Sequence, residues 1–217
     1  SLIEKIEIEF GFSYIHEFGL DEDTFEMLHL GGFFFIESRN SFLVLSEKNG
    51  YNHIYEVKLG SESARQITNG NYEVFDIKSY NAGTGEIFYT SNEAGVKEKH
   101  LYKITIDGIR KRKLTLGDGY HETLITANNR FFIDEFSSLN TPTAYQMYNT
   151  DGRALYKKLI ENKELKARFK EYKIQNAAFI NVSKSDGDDL KGWVIKPSSG
   201  ATKKLPVLIY VYGGAGN

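Results

Sequence analysis

Five histidines, no cysteine and a tyrosine set before two glycines carry most of the chemistry that these 217 residues offer. Without Cys there is no thiolate nucleophile, no disulfide framework and no Cys-based zinc site, and either a reducing or an oxidising compartment fits. Serine hydrolase chemistry on a strand–turn–helix scaffold needs Gly-x-Ser-x-Gly, then an Asp and a His further along, so that a base can take the hydroxyl proton while a carboxylate holds the imidazole. The nearest approach is Gly11-Phe12-Ser13-Tyr14-Ile15, which lacks the closing glycine and follows no buried strand, so it reads as a false match. His53 and His100 stand in matching contexts, which argues for a repeated structural position; a metal pair would need a carboxylate that recurs with them, and none does. His16, His29 and His121 stand singly, and a lone histidine is more often structural or solvated. Tyr120-His121-Glu122 follows a glycine-rich turn and suits a rim, with no chemistry assigned. Asn181-Val182-Ser183 fits the acceptor pattern for N-glycosylation. Tyr212 closes an apolar run and precedes Gly213-Gly214; by itself it is a tyrosine at the end of a buried strand.

Composition narrows the classes of partner. Lys plus Arg number 27 against 29 Asp plus Glu, a net charge of −2, so the chain lacks the basic excess with which nucleic-acid binders release counterions. The longest apolar runs, 31–36 and 207–212, fall far short of the roughly 18 residues a membrane-spanning helix needs. At 41% hydrophobic the chain can bury a real core. Ser1-Leu2-Ile3-Glu4-Lys5 has neither the basic n-region nor the apolar h-region of a secretion signal, so such a segment is expected to have been removed or never present, and the chain reads as a cut piece.

The elements that must position these residues read as strands. Aromatic residues make up 14% of the chain and come in short runs broken by Gly, Asn and Asp, the signature of half-buried antiparallel strands and their turns. Candidate strands are 33–37, 42–46, 53–59, 72–79, 86–91, 100–106, 130–135 and 144–148, separated by turn signals such as Lys48-Asn49-Gly50, Asp107-Gly108 and Asp151-Gly152. His53-Ile54-Tyr55 matches His100-Leu101-Tyr102 at an offset of 47, and Ile67-Thr68 matches Leu114-Thr115 at the same offset. Leu45-Ser46 answers Thr90-Ser91 with a slip of two residues that a hairpin loop absorbs. A unit of this length with three legible strands and a Leu/Ile-Thr close predicts a four-stranded propeller blade, with a weaker third copy over 120–159. A plain β-sandwich with recurring strands is the rival fold. Leu165, Phe169 and Tyr172 share one face of a short amphipathic helix over 162–172. Residues 178–183 and 190–195 then flank a turn, and 205–212, apolar without alternation, predicts a strand buried on both faces.

These segments, in order, resemble the dipeptidyl peptidase IV branch of the prolyl oligopeptidase clan of serine peptidases. The resemblance rests on Ser46-Glu47-Lys48-Asn49-Gly50-Tyr51-Asn52-His53-Ile54-Tyr55, Gln66-Ile67-Thr68-Asn69-Gly70-Asn71-Tyr72-Glu73-Val74, Phe88-Tyr89-Thr90-Ser91-Asn92, His100-Leu101-Tyr102 and Asn140-Thr141-Pro142. Gly192-Trp193-Val194-Ile195-Lys196-Pro197 and the run from Lys203 to Gly214 complete it. It covers about residues 40–217, the first 40 being assigned by continuity. The resemblance implies a mainly β chain: a partial β-propeller of about three to four antiparallel blades over 1–160, a linker helix over 161–176, and the truncated start of an α/β-hydrolase domain over 177–217. It implies an enzyme that releases X-Pro or X-Ala dipeptides from peptide amino termini, inactive in this piece because the Ser-Asp-His triad lies beyond residue 217. It assigns Tyr212 a catalytic role, its hydroxyl donating to the oxyanion beside a backbone N–H. Ala215 departs from the proline that many relatives carry there. The glutamate pair that holds the substrate amino group is not recognisable in these residues. Trp193 is expected to pack between the early hydrolase strands.

The expected partners are peptide substrates and, because a cut ring leaves two uncovered flanks, a second copy in a homo-oligomer, with a dimer the simplest form. No metal or organic cofactor is implied. A bacterial member would be exported, in the periplasm or at the cell envelope, and its sequon unmodified. Two rivals remain open: a non-catalytic propeller used as a binding module, and another peptidase of the clan, such as an acylaminoacyl-peptidase or an endopeptidase.

Overall fold

The computed structural model describes residues 34–60, 63–152, 154–183, 187, 189–197 and 205–211. Tyr212, Gly213, Gly214, Ala215, the Gly11-Phe12-Ser13 step, His16 and His29 lie outside the described residues. The chain divides into two units, residues 1–163 and 164–217.

The first unit holds three four-stranded antiparallel meanders, each with its strands in sequence order. The first comprises β1 (Phe34–Ile36), β2 (Ser41–Ser46), β3 (His53–Lys58) and β4 (Ala64–Gln66); the second β5 (Val74–Asn81), β6 (Glu86–Ser91), β7 (His100–Thr105) and β8 (Lys111–Lys113). The third comprises β9 (Tyr120–Ile125), β10 (Phe131–Ser138), β11 (Thr141–Asn149) and β12 (Leu155–Ile160). Together they form a partial β-propeller, and the sandwich is set aside: each sheet is one repeat rather than half of a shared pair of sheets.

Alternation along the strands shows how the blades stack. On β6, Ile87 and Tyr89 join a buried cluster with Leu43, Leu45, Ile54 and Val74 toward the first blade, whereas Phe88 joins Leu101, Leu114, Phe132 and Tyr148 toward the third. The middle blade therefore packs apolar side chains on both faces, Ile87 and Tyr89 on one and Phe88 and Leu101 on the other. A buried Ile or Phe of this kind stabilises by roughly 1.5–3 kcal/mol relative to exposure. Registers follow the repeat: Ser46 faces His53 across β2 and β3, and Ser91 faces His100 across β6 and β7. The two-residue slip seen in the sequence falls in the loops between those strands.

The fourth strands β4 and β8 are three residues long and charged, as suits an outer edge that must not recruit a neighbour. Neither stands among the candidate strands read from the sequence. Residues 120–122 form the start of β9, the first strand of the third blade. All six residues of β12 are exposed.

The second unit contains the body of α1 (Lys163–Glu171) and an antiparallel hairpin of β13 (Ala177–Ser183) and β14 (Asp189–Ile195). Trp193 pairs across the hairpin with Phe179 and is 58% exposed, so among the described residues it is not packed between strands. Residues 205–211 form no strand and are exposed, against the expectation of a strand buried on both faces. A strand exists only where a neighbour satisfies its backbone groups, and no described residue pairs with this segment.

Candidate functional site

The recurring histidines open β3 and β7 in the same socket. His53 Nδ1 lies 3.1 Å from Thr68 Oγ1, and His100 Nδ1 lies 2.9 Å from Thr115 Oγ1. Each threonine oxygen also accepts a backbone N–H, from Ile54 at 2.9 Å and Leu101 at 3.2 Å. Nε2 in each copy faces an oxygen that only accepts and so carries the ring proton, and Nδ1 of the neutral ring then accepts from the threonine hydroxyl. The Nε2 proton meets an oxygen in both copies: Gly70 O at 2.9 Å from His53, and Glu98 Oε2 at 2.7 Å from His100.

Thr115, His100 and Glu98 thus make a hydroxyl–imidazole–carboxylate chain, the order of groups found in a catalytic triad. It is not one. His100 and Thr115 are buried at 0% and 1% exposure, so no substrate carbonyl can reach the hydroxyl. The hydroxyl oxygen is already engaged by Leu101 N–H, and the sister chain at His53 ends on a peptide carbonyl instead of a carboxylate. The motif is a latch that closes strands three and four of a blade.

His121, read from the sequence as an isolated residue, is also buried and partnered. Its Nδ1 lies 2.9 Å from both oxygens of Asp134, its Nε2 3.3 Å from Gly117 O, and its ring 4.8 Å from that of His100. No group of three or more metal-ligating side chains suited to an ion occurs among the described residues.

Two ionic clusters within the blades bring three or more charged or polar side chains together. Glu122 on β9 accepts from Lys78 at 2.8 Å and Lys99 at 2.5 Å, and Lys78 also meets Asp76 at 2.6 Å. Burial opposes ionisation of Glu122, but the two ammonium groups prevail and hold its carboxyl below the ordinary range. Lys99 lies beneath two partly exposed rings, Phe75 at 5.8 Å and Tyr120 at 5.1 Å. In the first blade, Glu56 is buried at 2% exposure and accepts from Arg39, Arg65 and Ser41 at 2.6, 2.6 and 2.8 Å. Burial alone would raise its pKa; these three donors outweigh it and bring the carboxyl down to about 2. Every member of both clusters is answered by an opposite charge or a donor, and the one hydroxyl donor, Ser41, is fully buried with its proton on Glu56. They tie strands together rather than do chemistry.

The described residues thus supply a scaffold, and Tyr212, the one candidate catalytic residue, follows Val211 just outside them. Comparison with known proteins identifies the scaffold. Residues 22–143, more than half of the chain, match the model of the dipeptidyl peptidase IV (DPP IV) N-terminal region.

The chain belongs to the dipeptidyl peptidase IV family.

Its relatives agree. It is 25% identical over 203 residues to dipeptidyl peptidase 4 of Trichophyton rubrum, covering 91% of this chain and 26% of that protein. It is 28% identical over 210 residues to prolyl endopeptidase FAP of Homo sapiens, covering 85% of this chain and 26% of that one. The crystal structure of Porphyromonas gingivalis dipeptidyl peptidase 4 superposes with a TM-score of 0.71 at 29% identity, over 79% of this chain and 24% of that chain. The chain spans about a quarter of the length of these dipeptidyl peptidase IV relatives. In this member of the family the described residues supply the blades, their His–Thr latches and the balanced ion clusters.

Proposed function

We propose that this chain is the propeller-to-catalytic-domain passage of a serine-type dipeptidyl peptidase that releases X-Pro or X-Ala dipeptides from peptide amino termini. The observation that carries the reading is the 91% coverage in the fungal dipeptidyl peptidase match, a span long enough to run past the last blade into residues 164–217. In this reading residues 177–217 open an α/β-hydrolase domain, the nucleophile, Asp and His follow residue 217 in the chain, and the 217 residues alone are inactive. The protein works outside the cytoplasm on peptide substrates and associates with a second copy through flanks such as the exposed β12. Tyr212 donates its hydroxyl to the tetrahedral oxyanion. Such a donor, aimed at charge that develops only in the transition state, contributes about 3–4 kcal/mol.

Extending the chain to the full-length protein, with the Gly-x-Ser-x-Gly step and the later Asp and His that this reading requires, gives the test. The extended protein should release p-nitroaniline from H-Gly-Pro-p-nitroanilide and leave its N-acetylated form intact, while residues 1–217 cleave neither. Cleavage of the blocked substrate would favour an acylaminoacyl-peptidase or an endopeptidase instead. No Gly-x-Ser-x-Gly step following in the gene would favour the non-catalytic binding module.

A further inference from the structure

The two seams between blades share one backbone bond at an offset of 47 but differ in the side chains that flank it. At the first seam Val74 N–H donates to Asn52 O at 2.8 Å; at the second, 47 residues on, His121 N–H donates to Lys99 O at 2.9 Å, and Lys99 N–H donates in turn to Gly119 O at 3.1 Å. Val74 is wholly buried in the apolar cluster, whereas His121 brings an imidazole into the same position. The ring beside His53 at the first seam is Tyr72, edge-on at 5.0 Å; the ring beside His100 at the second is His121, tilted by 32° at 4.8 Å. One seam thus sets a histidine against a phenol, and the other sets two histidine rings side by side at a tilt.

We propose that the seam between the second and third blades is a pH-sensitive joint, built from the apposed rings of His100 and His121 with the carboxylates of Glu98 and Asp134, which loosens in mildly acidic medium. The neutral His100 ring suits its socket, since Nε2–H reaches Glu98 and Nδ1 accepts from Thr115. A proton added to Nδ1 turns that acceptor into a donor and takes from the threonine O–H its acceptor, in a site buried from solvent. It also places a positive charge against His121, whose Nδ1 is committed to Asp134.

The titratable and charged groups facing the pair come from every packed element. They are Glu98 in the loop before β7, Lys113 on β8 and Asp134 on β10, with Tyr102 meeting His100 edge-on. Along the same seam Lys99 is committed to Glu122. Burial pushes the His100 imidazole below its ordinary value; Glu98 opposes this, while Lys113 and His121 reinforce it. A histidine with a lowered folded-state pKa binds fewer protons than its unfolded counterpart. Its stabilising contribution is complete above pH of about 6.5 and is lost as pH falls below that value.

Amide hydrogen exchange, corrected for intrinsic rates, reads the joint directly. From pH 7.5 to pH 5, protection at His121 and Lys99 should fall several-fold, while protection at Val74 holds. His100→Asn, whose carboxamide oxygen can still accept from Thr115, should remove most of that pH dependence. Should the variant fail to fold, ring nitrogen shifts of His100 in the unaltered protein decide: a neutral Nε2–H ring at pH 7.5 that gains a proton as the seam opens supports the joint. Equal pH response at Val74 and His121 overturns the proposal, as does a His100 ring already charged at pH 7.5 or still neutral at pH 4.

Discussion

Arg65 and Arg112 stand at the same place on the outer strands of successive blades, and each guanidinium donates to a carbonyl in the third hairpin of the next blade, Ile106 O for Arg65 and Asp151 O for Arg112. The repeat therefore extends beyond the latch inside each blade to the clip between blades. What differs is the partner across the sheet: Arg65 faces Glu56, whereas Arg112 faces Lys103. In the second blade the carboxylate has moved one strand inward, to Glu86, which takes Lys103 at 2.8 Å. Arg112→Met should lower stability by about 1 kcal/mol, the net worth of one hydrogen bond, and Arg65→Met by more because Glu56 loses a donor as well. Urea denaturation of the two variants checks the order.

The Glu56 cluster predicts an acid limit. A carboxyl held near pH 2 in the fold, against about 4.5 unpaired, contributes stability that is complete above pH 4.5 and is lost as pH falls toward 2. Removing both guanidinium groups, in Arg39→Ala with Arg65→Ala, leaves a buried anion with Ser41 as its remaining side-chain donor, and should cost about 3–5 kcal/mol at neutral pH. Glu56→Gln in that background should recover part of the loss. Thermal melts at pH 7 and pH 3 measure both effects.

Gly119 accepts the Lys99 N–H that joins two blades, and it does so at φ +155°. A Cβ there would lie 2.5 Å from Ser137 O, a backbone atom that cannot swing aside. Gly119→Ala should destabilise by about 1–3 kcal/mol from the backbone conformation alone, with the clash added. Gly50, which has φ +94° and open space around it, is the control and should lose less on the same substitution.

The latch itself is testable at two sites. Thr68→Val and Thr115→Val keep the shape of the side chain but strand a buried imidazole nitrogen and a backbone N–H, so each should cost about 1–3 kcal/mol. Equilibrium unfolding of both variants should give losses of similar size, because the sockets are alike.

Much of this scaffold was legible in the sequence because its markers are residues with no free choice. A histidine at the start of strand three and a threonine closing strand four must occur together to satisfy each other, so the pair kept its spacing in both copies and revealed the repeat. The fourth strands were not legible, since Ala64–Gln66 and Lys111–Lys113 are short, charged edges without alternation. β9 was hidden for the opposite reason: its inward positions are His121 and Thr123, so a search for apolar alternation reads its buried side as the wet one. The run at 205–211 was legible as apolar, but apolarity alone makes no strand without a neighbour to pair with. Tyr212 could be named only through the resemblance, because nothing in a tyrosine before two glycines distinguishes an oxyanion donor from a strand end.

The central claim, that this family member is a peptidase whose oxyanion is held in part by Tyr212, is tested most directly by the kinetics of Tyr212→Phe in the full-length protein on a Gly-Pro anilide. The account predicts a fall in kcat on the order of a hundred- to a thousand-fold with KM little changed, since the lost hydrogen bond exists only in the transition state. A Tyr212→Phe enzyme turning over at the wild-type rate would contradict it.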